Sequence, residues 1–230
     1  MNDQTQWSPL HFDANEPLTL CRSWVDPIRE SLVWVHLHRQ LWQEVMKDFD
    51  LDAKPASSVW RGHYIRLYVD SQVAAVRRMA EGTNKDEISL ARLLTTIRRN
   101  VASFDLDRLC AVVAQSDLPG TGERRRGWLE VAWGDGSGHL SVGTIDADFD
   151  RLHRDTAVVR TWASKAIAHI DQKGAKAPTF GELDASINDV TEIFQRYGLL
   201  LTGTHYDMNV AVDPGWRVPL GKLFENWRLR

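Results

Sequence analysis

The sequence predicts an all-α protein, an antiparallel bundle of five to six helices. Apolar residues recur at the three- and four-residue spacing of an amphipathic helix in several long segments, whereas strand-like alternation is rare. The chain has 230 residues, 43% of them apolar, which is enough to bury a full hydrophobic core. Long amphipathic segments with mostly short joins are typical of antiparallel helical bundles.

The helices can be placed in order from this pattern and from their end signals. Pro27 lies in the first turn of the first helix, where its missing N–H costs nothing. Ser89 or Asp86 caps the third helix, and Gly203 stops the last one. The apolar pattern predicts helices over residues 27–49, 58–81, 87–99, 105–116, 144–172 and 181–201.

Three regions fall outside the helical pattern and divide the chain. Residues 1–20 are predicted to form an irregular acidic arm, and a helical bundle is predicted to follow over residues 21–203. Within the bundle, residues 118–143 form a long Gly-rich insertion, in which the alternating segment 128–133 predicts one arm of a small hairpin. Residues 204–230 predict a C-terminal strap or short helix.

Charge and composition exclude several classes of protein. The formal net charge is −3, and the acidic residues of the first 20 positions account for all of it, so nucleic-acid binding needs a local basic patch. No apolar run is long enough to span a membrane, and no basic–apolar leader is present, so we expect a cytoplasmic protein without membrane contact. Cys21 and Cys110 are too few for a disulfide framework, and no metal-ligand spacing occurs, so no metal or cofactor is predicted.

The most informative segment runs from Arg160 to Asp171, Arg-Thr-Trp-Ala-Ser-Lys-Ala-Ile-Ala-His-Ile-Asp. It resembles the end of the key helix in the HEPN superfamily, and in particular its abortive-infection AbiU-like branch, where the pattern is Arg-Asn-Lys-x-Ile-Ala-His-x-Asp. Segments 64–70 and 88–94 resemble two further helices of that branch, so the resemblance covers about residues 25–200. The positions that match the key pattern are Lys165, Ile167, Ala168, His169 and Asp171.

The resemblance implies a homodimeric helical fold that acts on RNA, with His169 at its centre. Ribonucleases of the superfamily pair an arginine with this histidine, since arginine binds phosphate through its planar fork and histidine exchanges protons near neutral pH. Here Ala163 and Ser164 replace the Arg-Asn pair, and Arg160 falls on the opposite helix face from His169. Lys165 shares the face of His169 in an α-helix, so the predicted catalytic pair is His169 with Lys165, and Arg160 and Ser164 are predicted phosphate contacts.

A second candidate site lies in the insertion. Three consecutive arginines, Arg124, Arg125 and Arg126, precede Trp128 and Trp133. Basic residues with aromatic neighbours are typical of RNA contact, because cations pair with phosphates and rings stack on bases. The alternative is a solvated loop whose tryptophans pack onto the bundle.

Two functional hypotheses remain open from the sequence. The first is a HEPN-like protein of a bacterial defence or toxin–antitoxin system that binds RNA or cleaves it without metal. The second is a non-catalytic helical bundle that binds a cognate partner protein or a nucleotide, which the missing arginine favours; His169 is then a packing residue near a helix end. A weaker alternative is a helical enzyme whose site is assembled from scattered residues such as His63, Arg66 and Asp70.

Overall fold

The computed structural model describes residues 16–48, 55–82, 86–113, 122–168, 176–208 and residue 215. The all-α prediction is confirmed: this part of the chain is mostly helical and has no extended strand. A 3-10 turn lies at Val101–Ser103, and a π-helical turn, called the π turn below, lies at Ala163–Ala168. The α-helices are α1 (Pro17–Asp48), α2 (Pro55–Glu81), α3 (Leu90–Arg99), α4 (Leu106–Val113), α5 (Gly122–Trp133), α6 (Val142–Asp155), α7 (Ala157–Trp162) and α8 (Phe180–Thr202).

The three longest helices, α1, α2 and α8, pack against one another and surround the centre of the core. α3 and α6 extend the layer next to α1 and α8, while α7 and the π turn lie along α2. The space between Leu32, Val76 and Ile187 leaves no room for a water molecule. Tight packing of this kind is what holds a helical bundle together, because apolar burial is its main stabilising term.

The first helix begins earlier than the sequence predicts. α1 starts at Pro17, so Pro27 lies inside it, and residues 17–20 belong to the bundle rather than to an irregular arm. Proline inside a helix removes one hydrogen bond and costs about 3 kcal/mol. The buried stripe that continues back through Trp24, Cys21 and Leu18 offsets this cost.

The hairpin predicted in the insertion is wrong, because residues 122–133 form α5. Among the described side chains of this segment, the large ones that are buried are Leu129 and Trp133, and their four-residue spacing fits one helix face. The Gly-rich part comes after α5, where Gly136 and Gly138 adopt positive φ angles of 83° and 87° in a tight turn. A bridge between Gly134 and Leu140 closes this turn.

The single long helix predicted over 144–172 is also divided. α6 begins after Ser141, whose side chain accepts from the Thr144 amide, and it ends at Thr156. α7 follows directly and passes into the π turn at Ala163. Buried Thr156 donates its hydroxyl to the Leu152 carbonyl at 2.6 Å, a bond of the kind that bends helices.

The last helix ends at Gly203 as the sequence predicts, and it begins with a capping box that was not predicted. Thr179 and Glu182 form a reciprocal capping box at the start of α8, and Gly203 ends it in the left-handed conformation with φ 70°. Beyond Gly203 the chain is irregular as far as residue 208, and Tyr206 packs so closely on Gly198 that an added Cβ there would lie 2.9 Å from its ring. The N-terminal 15 residues and, apart from residue 215, the tail after 208 lie outside the described residues.

Candidate functional site

The HEPN-like motif coincides with the π turn. Along this turn Ala163 is buried, Ser164 is half-buried and Lys165 is exposed. π-helical turns are rare, and they occur often at functional sites because they change which side chains share a face. The π turn therefore interrupts the α-helical spacing on which the predicted shared face of Lys165 and His169 depends. His169 lies outside the described residues, so its pairing with Lys165 stays a prediction.

The position of the missing arginine faces the core. Ala163 is only 2% exposed and belongs to the main hydrophobic cluster. An arginine at this position would place a charged group among apolar side chains, which is costly unless the charge is paired. A small apolar side chain therefore fits this position, where the π turn packs against α2.

Arg160, predicted as a phosphate contact, is held by the protein itself. Its Nη2 donates to the His153 carbonyl at 2.8 Å, and its Nε donates to the Thr156 hydroxyl at 3.1 Å. Its Nη1 donates to Glu81 on α2 at 3.2 Å, and Arg77 pairs with the same carboxylate at 2.7 Å. Arg160 thus satisfies a carbonyl at the end of α6 and links α7 to α2, and its side chain is only 19% exposed.

The three consecutive arginines in the segment that the sequence predicted as an insertion differ in their surroundings. Arg126 pairs with Asp107 of α4 at 3.1 Å, while the side chain of Arg124 is exposed. The side chain of Arg125 lies outside the described part. Along the same helix, Arg124, Gly127, Trp128 and Val131 recur at helical spacing on one exposed surface, here called the α5 face.

Trp128 and Trp133, which follow these arginines in the sequence, have different surroundings. Trp133 is 3% exposed, meets the Tyr197 ring edge-on at 4.8 Å and lies under the Arg196 guanidinium. It is a core residue, as the alternative interpretation of the insertion expected. Trp128 is 45% exposed on the α5 face.

The scattered residues of the weaker enzyme hypothesis lie on the outer part of α2. Arg66 and Asp70 form an ion pair at 3.6 Å, one helical turn apart, and His63 is exposed. An i,i+4 pair of this kind is common on solvated helices and contributes little to stability. The structure therefore gives these residues an ordinary surface arrangement.

Sequence reasoning missed a polar line between α1 and α8. Thr191 donates its hydroxyl to the Ile187 carbonyl, so it accepts from Nε2 of His36 at 2.8 Å. Burial, followed by the neighbouring Arg39 charge, lowers the pKa of His36. Arg39 in turn lies 2.9 Å from Asp184 and donates to Asn188 at 2.7 Å. These pairs join residues about 150 positions apart, so no local pattern signals them.

An aromatic stack continues this line toward the start of α8. Trp42 stacks on Tyr68 with 4.6 Å between ring centroids and 7° between planes, and on Phe180 at 5.5 Å. Burial, with Asp184 nearby, raises the pKa of the Tyr68 phenol to about 12. Trp42 and Tyr68 are buried in this stack, whereas Phe180 is 46% exposed at its end, so Trp42 is one of the chain's tryptophans that serve as packing residues.

A second network joins α6 to α8. Arg151 pairs with Asp189, with Glu192 at 2.6 Å and with Asp155 at 3.8 Å. Nearer the other end of the interface, the carboxylate of Asp148 accepts from Arg196 and from the Tyr197 hydroxyl, at 2.5 and 3.2 Å. Burial, and secondarily Asp148, raises the pKa of Tyr197.

Comparison with known proteins adds no assignment. No protein-family model, curated protein or solved structure matches the chain. Over the described residues, no helix has the length and apolar character to cross a membrane. In the same part of the chain, His, Cys, Asp and Glu side chains form no group of three or more that could hold a metal ion.

Proposed function

We propose that this protein binds RNA as a HEPN-like member of a bacterial defence or toxin–antitoxin system. The observation that carries the proposal is the coincidence of the motif with the π turn, which presents Lys165 to solvent. A lysine ammonium at such a position binds a phosphate as a point charge. With the body of the chain neutral overall, local surfaces of this kind must supply the attraction to RNA.

Binding without cleavage fits the geometry better than catalysis does. Ala163 lies in the core, and Arg160 is engaged by Glu81, His153 and Thr156. Neither position offers a free guanidinium to a scissile phosphate. Cleavage would then depend on His169 with Lys165 alone, without the bidentate phosphate contact that arginine provides.

The test uses purified full-length protein with labelled single-stranded and hairpin RNA, with and without EDTA. We expect RNA binding that weakens in Lys165→Ala, and no cleavage by wild type or His169→Ala. Arg99→Ala, which removes an exposed charge from α3, is the control and should bind as wild type does. EDTA-resistant cleavage that disappears in His169→Ala would replace the binding proposal with a metal-independent endoribonuclease. Absence of any RNA binding would contradict both.

A second candidate function is binding of a partner protein without RNA. The observation that favours it is the exposure of large apolar side chains on α5, where Val131 is 90% exposed. Exposed apolar side chains in one patch are typical of protein contact sites. A cognate protein that binds the chain while RNA does not would support this candidate.

The homodimer implied by the resemblance is likewise proposed, through the outer surface of α2 and α7. Leu67 and Val158 are 55% and 41% exposed on these adjacent helices. Light scattering after size-exclusion chromatography should give twice the chain mass for wild type and one chain mass for Leu67→Glu. A monomeric wild-type protein would contradict the proposal.

A further inference from the structure

We propose that the α5 face binds single-stranded RNA, with Trp128 stacking on a base and Arg124 contacting a neighbouring phosphate. This inference rests on the proposed function, since it assumes that the ligand is RNA. It adds a surface that is separate from the π turn and names the form of RNA that it takes. Three features of α5 carry it: an exposed ring, an open glycine position on the same face, and an exposed arginine one turn away.

The exposed ring is the first feature. Trp128 is 45% exposed, although the same helix buries Trp133 almost completely. A tryptophan ring in water is unfavourable, and a flat base covers such a ring well because both have a large polarisable surface. Val131, 90% exposed and one turn further on, widens the apolar part of the face. Every base has a ring face to offer, so this contact requires no particular sequence.

The second feature is Gly127, which lies inside α5 and directly before Trp128. Glycine in a helix interior destabilises the helix relative to alanine. Apart from its chain neighbours and the helix backbone, a Cβ added at Gly127 would meet nothing within 4 Å among the described residues, so their packing does not require glycine there. Glycine at an exposed helix position lets another molecule approach the backbone closely. It leaves open surface on the α5 face, on which Trp128 also lies.

The third feature is the charge on the same face. Arg124 is exposed and lies one helical turn before Trp128, so their side chains are neighbours. Arg126, by contrast, is paired with Asp107. A phosphate contact beside a base contact matches the repeating unit of a nucleic-acid strand.

The form of RNA follows from the stacking contact. Bases in a duplex are stacked on each other and do not offer a face to a protein side chain. A base in a single strand is free to leave its neighbours and stack on Trp128. The α5 face therefore discriminates in favour of single strands, whereas Lys165 binds phosphates of either form.

The experiment is a fluorescence-anisotropy titration of the full chain with a labelled 12-nucleotide single strand and with a matched duplex. We expect Trp128→Ala to weaken single-strand binding about tenfold, which is within the range for loss of one base stack. Trp128→Phe should keep most of the affinity because it keeps a ring. Trp34→Ala removes an equally exposed tryptophan, 53% accessible on α1, and should change nothing.

Two further variants separate binding from folding. Gly127→Leu fills the open surface at this position with a good helix former, so we expect an unchanged or higher Tm together with weaker single-strand binding. Arg124→Ala should lower affinity and reduce the slope of log K against log salt by about 0.7, the value for one phosphate contact on a single strand.

The outcomes distinguish this inference from the proposed function. Single-strand binding that is insensitive to both Trp128→Ala and Arg124→Ala, but lost in Lys165→Ala, would overturn the α5 face and leave RNA binding intact. Equal affinity for the duplex and the single strand would also overturn it. Wild-type protein that binds neither RNA would overturn both.

Discussion

Arginine and aromatic side chains occur together at the α6–α8 interface and again on the α5 face. At the interface, Arg196 covers the Trp133 ring and pairs with buried Asp148. On the α5 face, Arg124 and Trp128 are neighbours on one helix and both are exposed. Residue type alone therefore does not identify a binding surface, because the same two residue types are packed into the fold in one place and exposed among the described residues in the other.

The largest effect on stability is expected where a charged side chain is introduced into the hydrophobic core. Ala163→Arg restores the arginine of the HEPN pattern at a core position, so we expect a loss of about 3 kcal/mol or more in unfolding free energy. Urea denaturation measures it. Thr161→Arg, at an exposed position of α7, should change stability little. A stable Ala163→Arg protein that cleaves RNA would show that the π turn rearranges to accept the arginine.

A slightly smaller loss is expected when the α6–α8 interface loses its acceptor. Asp148→Ala leaves the buried Tyr197 hydroxyl without its partner and removes the counterion of half-exposed Arg196, which we expect to cost about 2 kcal/mol. Asp150→Ala, exposed on the same helix, is the matched control and should stay within about 0.5 kcal/mol of wild type. Equal stabilities of the two variants would contradict the structural role assigned to this pair.

On the α5 face, substitution of Gly127 should raise the unfolding free energy instead of lowering it. Gly127→Ala removes a flexible residue from a helix interior where a Cβ meets nothing, so we expect a gain of about 0.5–1 kcal/mol in unfolding free energy. Thermal unfolding followed by circular dichroism measures the gain. A loss of stability would mean that the α5 backbone needs glycine for its own conformation. Gly127 would then give no support to a binding surface on α5.

The smallest expected effect is on the pH dependence of the unfolding free energy, and it involves the polar line between α1 and α8. Burial and Arg39 lower the pKa of His36, and burial and Arg160 lower that of His153. A histidine with a lowered folded-state pKa binds fewer protons when folded. Its contribution to stability is therefore present above the unfolded value of about 6.5 and is lost as the pH falls through the folded-state pKa.

The variant His36→Gln tests this dependence because it keeps an amide donor for Thr191 but does not titrate. We expect its unfolding free energy to fall less than that of wild type between pH 7 and pH 5. Gln43→Ala, at an exposed position of the same helix that does not titrate, should retain the wild-type slope. A wild-type slope in His36→Gln would contradict the assignment.

Helix ends with strong local signals were predictable from the sequence. Ser89 caps α3 and Gly203 ends α8, because a hydroxyl acceptor and a left-handed glycine act through adjacent backbone atoms. The interior position of Pro27 was not predictable in this way. Its cost is local, whereas the burial of Leu18 and Cys21 that offsets it depends on α3 and α8 lying alongside.

The candidate site was predictable only in part. The segment of the π turn was singled out by its resemblance to a motif, but the turn itself was not predicted. The arginine run was visible directly in the sequence, whereas its surroundings were not. Arg160 gave no sequence signal that Glu81, 79 positions away, would hold it. Trp128 and Trp133 are the same residue type five positions apart, and only the helical conformation of α5 decides that one is exposed and the other buried.

The most direct test is ultraviolet cross-linking of the full-length protein to a labelled single-stranded RNA, with the linked peptides identified by mass spectrometry. We expect cross-links in the α5 peptide that contains Trp128 and in the peptide of the π turn that contains Lys165. Cross-links confined to the α6–α8 interface around Arg151 and Arg196, or none at all, would contradict this expectation.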